Sequence, residues 1–204
     1  MGNETGMAGR DWQVLLIGGA SGVGKTAVSY RVAERYGVGI TEVDDFQVLL
    51  EAITTPEQLP AVHVWRTNPD SDKLADSVIV EQLLTLSRVM LPGLQAVVSN
   101  HLETQTPIVL EGDFLLPALA ERTRYATLPG GARVRGVFLH EPEEEQFLRN
   151  YLLREPDRGP QIKRARVSWL HGQWLKQEAE QRGVPVVPAR PWDTVLERIV
   201  ATLS

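Results

Sequence analysis

Val14-Leu15-Leu16-Ile17-Gly18-Gly19-Ala20-Ser21-Gly22-Val23-Gly24-Lys25-Thr26 decides how the rest of the chain is read. The first four residues are apolar and β-branched at both ends, which predicts a short strand buried on both faces of a parallel sheet. From Gly19 to Thr26 the sequence matches G-x-x-x-x-G-K-[ST]. Beyond Lys25, the residues Val28, Val32, Ala33 and Tyr36 return at helical spacing, and Gly37 is placed to end that helix in a left-handed conformation. Strand, glycine loop and helix in this order form a cradle for phosphates: glycines let successive N–H groups converge, and the helix adds its positive end. On this reading Gly19, Ala20, Ser21, Gly22, Val23 and Gly24 wrap the phosphates. Lys25 reaches the β- and γ-phosphates, and the Thr26 hydroxyl meets magnesium. A chance glycine-rich turn is the alternative, and the strand and helix on either side argue against it.

Working outward, Gly39 to Val43 is expected to be a second strand, with Asp44 and Asp45 closing it and a helix over Gln47 to Ile53. An irregular stretch through Pro56, Pro60 and Pro69 follows. Ile79, Leu83, Leu86, Met90, Leu94 and Val97 then mark a long helix that Pro92 should kink or split. Further strands are expected at Ile108 to Leu110, at Arg133 to Leu139, and at Val184 to Val187, where Pro185 makes the last an edge strand or a short one. Thr194 to Glu197 has the spacing of a capping box, opening a final helix. Strands alternating with helices predict an α/β fold of three layers, about five mostly parallel strands with helices on both faces.

The chain has 204 residues and is 43% hydrophobic, enough for one core and little more, so a single domain over 11–204 is expected after a disordered 1–10. The net charge of -5 lacks the basic excess used to bind nucleic acid. Cysteine is absent, which removes disulfides and thiolate metal sites and fits a reducing, cytoplasmic setting. Residues 1–10 lack the pattern of a signal peptide, and no apolar run is read as membrane-spanning.

Magnesium-dependent phosphoryl transfer needs an acid at the end of another strand, and Glu111 follows Ile108-Val109-Leu110 directly. Glu111 is therefore the expected metal and catalytic carboxylate, and Asp113 shares that task or contacts the acceptor. The alternative is that both bond the neighbouring loop or cap a helix. Asp44 is the expected catalytic base, because a hydroxyl acceptor must lose its proton as phosphate arrives; Asp45 is the second candidate, toward substrate, and either could cap the next helix. Arg149, Arg154, Arg158, Lys163, Arg164 and Arg166 stand against only Glu155 and Asp157, a local reversal of sign. This predicts an arginine-rich lid over about 141–182, with Arg154 catalytic and Arg149 and Arg158 toward the nucleotide, unless the segment is a solvated helix face. Most tryptophans, Trp12, Trp169, Trp174 and Trp192, are expected in the core. Arg66, beside Trp65, is the candidate for an acceptor contact, ahead of His63.

With these residues in place, the chain resembles the small-molecule P-loop kinases, a group that includes shikimate kinase, uridine kinase and chloramphenicol phosphotransferase. Val43-Asp44-Asp45-Phe46 looks like the Asp-Ser-Phe stretch of the last two, whose aspartate is the base, so the resemblance points to Asp44, with Asp45 on the serine. The nearest likeness is to 2-phosphoglycerate kinase-like proteins. It runs through Gly18 to Lys25, through Leu110-Glu111-Gly112-Asp113-Phe114-Leu115-Leu116-Pro117, and through Gly183-Val184-Pro185-Val186-Val187. That family typically has Ser-Ser-Tyr where this chain has Val64-Trp65-Arg66. The resemblance implies that Pro188-Ala189-Arg190-Pro191 lies against adenine, which adds Arg190 to the nucleotide side. It implies the P-loop NTPase fold, ATP and Mg2+ as cofactors, and transfer of the γ-phosphate to a small-molecule hydroxyl, phosphoglycerate-like or other. An ATPase or a nucleotide-dependent switch is the competing reading.

Overall fold

The computed structural model describes residues 9–68, 70, 73–121, 125 and 133–203. The expected disordered start lies mostly outside the described residues. Five strands form one parallel sheet in the order β2-β3-β1-β4-β5. They are β1 (Val14–Gly18), β2 (Gly39–Glu42), β3 (Ile108–Gly112), β4 (Val134–His140) and β5 (Val186–Pro188). The helices are α1 (Lys25–Tyr36), α2 (Asp44–Ile53), α3 (Pro60–Thr67), α4 (Asp76–Glu103), α5 (Glu144–Arg154), α6 (Ile162–Gln181) and α7 (Val195–Leu203).

β1 explains the layering. All five of its residues are buried, and alternate side chains feed opposite cores. Val14 and Leu16 join Leu86, Leu94, Leu110, Phe138 and Leu175 beneath α4 and α6. Leu15 and Ile17 join Val28, Val32, Val137, Phe147 and Ile199 beneath α1, α5 and α7. In register, Ile17 lies beside Glu111 on β3 and Val137 on β4, and Glu42 on β2 lies beside Glu111. The carboxyl ends of β1, β2 and β3 therefore come level, at the edge where the chain winds away from β1 to either side and where open α/β sheets hold ligands.

Several expected boundaries move. β2 stops at Glu42, and α2 begins at Asp44 instead of Gln47, so both aspartates lie in the first helical turn. Neither caps α2: its N-cap residue is Val43, without a side-chain cap bond. β3 extends through Glu111 and Gly112, β4 covers Val134–His140, and β5 is displaced to Val186–Pro188, a three-residue edge strand. The stretch read as irregular contains α3, opened by Pro60 in its first turn, where a missing N–H costs no helical bond. α4 runs through Pro92 unbroken over 28 residues; Pro92 is exposed, while Met90 and Leu94 on either side are buried. α4 is also long and apolar enough to cross a membrane by length and composition, contrary to the sequence expectation; here it packs on α3, α6 and β1. Thr194 does not form a capping box: its hydroxyl donates to the Pro191 carbonyl at 3.3 Å, and Glu197 pairs with Arg35. α1 ends as expected at Gly37, with φ 61°.

Candidate active site

The glycine loop joins β1 to α1 across the carboxyl edge. Gly24 is the N-cap of α1, with φ 92° and no side chain to cap with, and the first helical turn carries no acid. The free N–H groups at the helix start are thus left for an anion. A Cβ on Gly24 would also sit 2.5 Å from the Trp192 ring, so only glycine fits there. The loop is held from outside by α5: Asn150 Nδ2 donates to the Gly22 carbonyl at 2.9 Å, and the Tyr151 hydroxyl donates to the Ser21 carbonyl at 3.0 Å.

Lys25, only 5% exposed, donates to the Ala20 carbonyl at 3.0 Å and forms an ion pair with Asp113. Burial by itself depresses an ammonium, but the Asp113 carboxylate, with Glu111 and Asp44 behind it, holds Lys25 above its ordinary value. Thr26 Oγ1 donates to Glu111 Oε1 at 2.7 Å. Glu111 is 2% exposed, and its other oxygen, Oε2, is buried with no hydrogen-bond partner. Desolvation raises the Glu111 carboxyl, opposed by Lys25 and by the Thr26 hydrogen bond. A buried carboxylate oxygen left without a donor beside a hydroxyl is a fit for a hard cation, since each unpaired buried acceptor carries a desolvation cost. Among the described residues no group of three or more His, Cys, Asp or Glu could hold a metal. Thr26 and Glu111 suit magnesium, which binds by one or two protein oxygens with phosphates and waters completing the shell.

Asp44 comes in from the other side of β3. Val43 N–H bonds the Glu111 carbonyl at 2.7 Å, which brings the start of α2 against the end of β3. The Asp44 carboxyl is pushed up to about 6, first by desolvation and then by the Asp113 charge, with Lys25 and the Asp113 N–H pulling the other way.

A cavity of about 620 Å³ opens over this cluster, lined by Ser21, Gly22, Gly24, Lys25, Thr26, Asp44 and Asp113. Arg31, Asn150, Leu153, Arg154, Trp192 and Val195 line it as well. A slightly larger groove, about 680 Å³, between α3 and α4 is lined mainly by apolar residues such as Leu59, Val64, Val78 and Val89 and has no comparable polar cluster.

The structure thus brings together Lys25, Thr26, Asp44, Glu111 and Asp113, and puts Arg154 on the cavity wall. The other sequence candidates fall elsewhere. Arg149 is exposed and pairs with Glu143, and Arg158 is exposed and pairs with Glu155; neither lines the cavity. The segment expected as a lid, about 141–182, contains the helices α5 and α6, with Tyr151 and Ala165 in the core. Glu155 gathers Arg154, Arg158 and Arg164. Partial desolvation would raise the Glu155 carboxyl, but hydrogen bonds from Arg154 and Arg164 outweigh it and lower it to about 2. Arg190 is not on the cavity wall either. It makes two 2.7 Å bonds to the buried Glu141 and so ties the segment after β5 to the end of β4. Asp45 and Arg66 are exposed, outside the cavity lining. His63 is buried against Thr54, at 3.0 Å, a structural role. Trp192, expected in the core, is 38% exposed and walls the cavity. Trp192, Asn150, Tyr151 and Arg31 were missed. The first of these could have been found from its place just after the segment expected at the base.

A glycine loop, a buried lysine and an acid thus stand together at the ends of adjacent parallel strands. The chain is similar to archaeal 2-phosphoglycerate kinases. No protein-family model matches it. The 2-phosphoglycerate kinase of Methanocaldococcus jannaschii is 20% identical over 88% of this chain and 59% of its own length. That of Thermococcus kodakarensis is 26% identical over 93% and 65%. The chain therefore spans roughly three-fifths of the length of these two relatives. Among solved structures, a gluconokinase from Sinorhizobium meliloti 1021 superposes with a TM-score of 0.55 at 20% identity, covering 96% of this chain and 93% of that one. Shikimate kinase from Acinetobacter baumannii, in complex with shikimate, gives 0.55 at 14% identity, covering 95% and 96%. The fold is the three-layer α/β fold of the P-loop kinases.

Proposed function

We propose that this chain is a phosphotransferase that moves the γ-phosphate of ATP to the hydroxyl of a small molecule, with Mg2+ held by Thr26 and Glu111. The observation that carries the reading is the buried, unpartnered Oε2 of Glu111, a residue whose Oε1 accepts from the Thr26 hydroxyl and which lies in register with Ile17, just before the glycine loop. The names of the relatives support the same reaction type.

In this reading the N–H groups of Gly19 to Thr26 hold the phosphates, and Lys25 neutralises charge that builds on the transferred group. Bound magnesium supplies Lewis-acid stabilisation of the phosphate oxygens. Asp44 accepts or orients the proton of the acceptor hydroxyl; a carboxyl held at about 6 is a stronger base than an ordinary aspartate and is still mostly ionised at neutral pH. Asp113 faces the acceptor, and Arg154 closes the phosphate end. Trp192 offers the base an aromatic wall that Arg190 holds in place through Glu141, so Arg190 acts at one remove from the nucleotide. Arg149 and Arg158 would reach it only after leaving Glu143 and Glu155. Asp45 and Arg66 are proposed as acceptor contacts from the exposed rim. A cytoplasmic setting agrees with this chemistry.

The relatives' name makes 2-phosphoglycerate the first acceptor to try, and gluconate, shikimate and glycerol extend the panel. ADP release from Mg·ATP should be slow alone and at least about 10²-fold faster with the right acceptor. Hydrolysis at one rate with every compound would favour an ATPase, and no turnover with tight ATP binding a switch.

A further inference from the structure

Tyr151 on α5 is fully buried, and its ring lies so close to the glycine loop that a Cβ on Gly22 would stand 2.9 Å from it. It does not line the cavity over the loop. Its hydroxyl bonds the Ser21 carbonyl at 3.0 Å and lies 2.7 Å from Ser168 Oγ on α6. A phenol has one hydrogen and the carbonyl can only accept, so that hydrogen goes to Ser21 and Ser168 donates to the Tyr151 oxygen. A trans peptide is planar, with the C=O of one residue antiparallel to the N–H of the next. Drawing the Ser21 carbonyl toward Tyr151 therefore aims the Gly22 N–H to the opposite side of the loop. That N–H has no backbone partner among the described residues, and Gly22 lines the cavity. Turned over, the same peptide would present a carbonyl to an anion in place of a donor.

We propose that Tyr151 is a positioning residue for the nucleotide, whose hydroxyl fixes the Ser21–Gly22 peptide with its N–H toward the phosphates. The proposal rests on the phosphate-transfer reading above. Asn150 serves the next peptide: it holds the Gly22 carbonyl at 2.9 Å, and the Val23 N–H closes a turn on the Ala20 carbonyl at 3.3 Å. The Tyr151 ring has a separate task. The guanidinium carbons of Arg154 and Arg164 lie 5.2 and 4.3 Å from its centroid, and Arg154 lines the cavity. One buried side chain thus sets the loop with its hydroxyl and seats an arginine of the cavity with its ring, and the two functions can be removed separately.

The test is the affinity of the full chain for magnesium adenylyl imidodiphosphate, measured by calorimetry. Tyr151→Phe keeps the ring, and with it the arginine seat, but frees the Ser21–Gly22 peptide. With the binding-competent form of the loop reduced to about one part in ten, affinity should fall about ten-fold. Ser168→Ala removes the other hydrogen bond of the same hydroxyl and leaves the bond to the loop. Its affinity should stay within about two-fold of wild type even where its Tm drops. Wild-type affinity in Tyr151→Phe overturns the proposal, and so does an equal loss in Ser168→Ala, which is the mark of a packing defect instead of an aimed peptide. Lys25→Ala is measured in parallel. Wild-type binding there would refute the phosphate-loop reading itself, whereas weak binding there beside wild-type affinity in Tyr151→Phe refutes the positioning role alone.

Discussion

The glycine loop and the arginine-bearing arm of α5 and α6 are the two regions richest in candidate chemistry, and they differ in how completely their charged groups are satisfied. In the arm, Arg149, Arg158, Arg164 and Arg166 each have a carboxylate: Glu143, Glu155, Glu155 and Glu144. At the loop, Glu111 has a buried oxygen with no donor, the start of α1 has no cap, and Lys25 is shared between a carbonyl and Asp113. Number of charges therefore says less about a ligand site than which buried groups still lack a partner. Surface pairs like those of the arm are worth little, typically 0–1 kcal/mol, whereas an unpaired buried acceptor is a standing cost.

The largest expected contrast between the regions comes from Lys25→Ala, which should lower acceptor-dependent kcat by about 10³-fold or more with the fold intact. Arg158→Ala, measured alongside, should stay within about two-fold of wild type. Equal losses would erase the distinction drawn between loop and arm.

Asp44→Asn should come next, with a fall in kcat of about 10²–10⁴-fold while nucleotide affinity is retained. The pH profile supplies the sign. Asp44 is raised to about 6 in the folded state, so the active carboxylate is lost as pH falls through about 6, and wild-type kcat/KM should decline there. Bound magnesium would move that limb lower. The same raised value means that the folded state binds this proton more tightly than the unfolded one. The stability it confers is present below about 3.8 and lost as pH rises through about 6. Asp44→Asn should then be slightly more stable than wild type at pH 7, by about 1 kcal/mol after discounting for solvent screening, read as a higher Tm. Asp44 and Asp45 are both exposed to solvent, but only Asp44 lines the cavity, so Asp45→Asn should change either readout far less.

Intermediate effects should come from the strap that joins the regions. Arg190→Ala leaves the buried Glu141 carboxylate without its cation, with only the Glu143 N–H on Oε1, and should loosen the segment carrying Trp192. KM for ATP should rise about ten-fold with kcat within about three-fold, and stability should fall by about 3 kcal/mol. A kcat loss without a KM change would place Arg190 at the chemistry instead of at the base wall.

These outcomes follow residues whose legibility in the sequence was uneven. The loop, α1 and the β3 acids were readable because Gly19 to Thr26 demands one backbone path and Ile108 to Leu110 can only be a buried strand. α3 was not, because Pro56, Pro60 and Pro69 read as breakers and only Pro60 at a first turn is compatible with a helix. The register that levels Glu42, Glu111 and Ile17 is a property of pairing between distant segments, invisible to local pattern. The arginines were found as a cluster, but Arg164 and Arg166 meet Glu155 and Glu144 only through the packing of α6 on α5, while Arg149 and Arg158 pair locally with Glu143 and Glu155. Trp192 looked like core because large aromatics usually are; its placement against Gly24 follows from the anchor at Glu141.

The central claim, that the cluster at the ends of β1, β2 and β3 transfers phosphate to a hydroxyl, is tested most directly by following the γ-phosphate itself. Phosphorus-31 spectra of the purified chain with Mg·ATP and the acceptor panel should show a new phosphomonoester growing in step with ADP, and Lys25→Ala and Asp44→Asn should suppress that signal. Inorganic phosphate growing in step with ADP, with no phosphomonoester from any acceptor, would contradict the account.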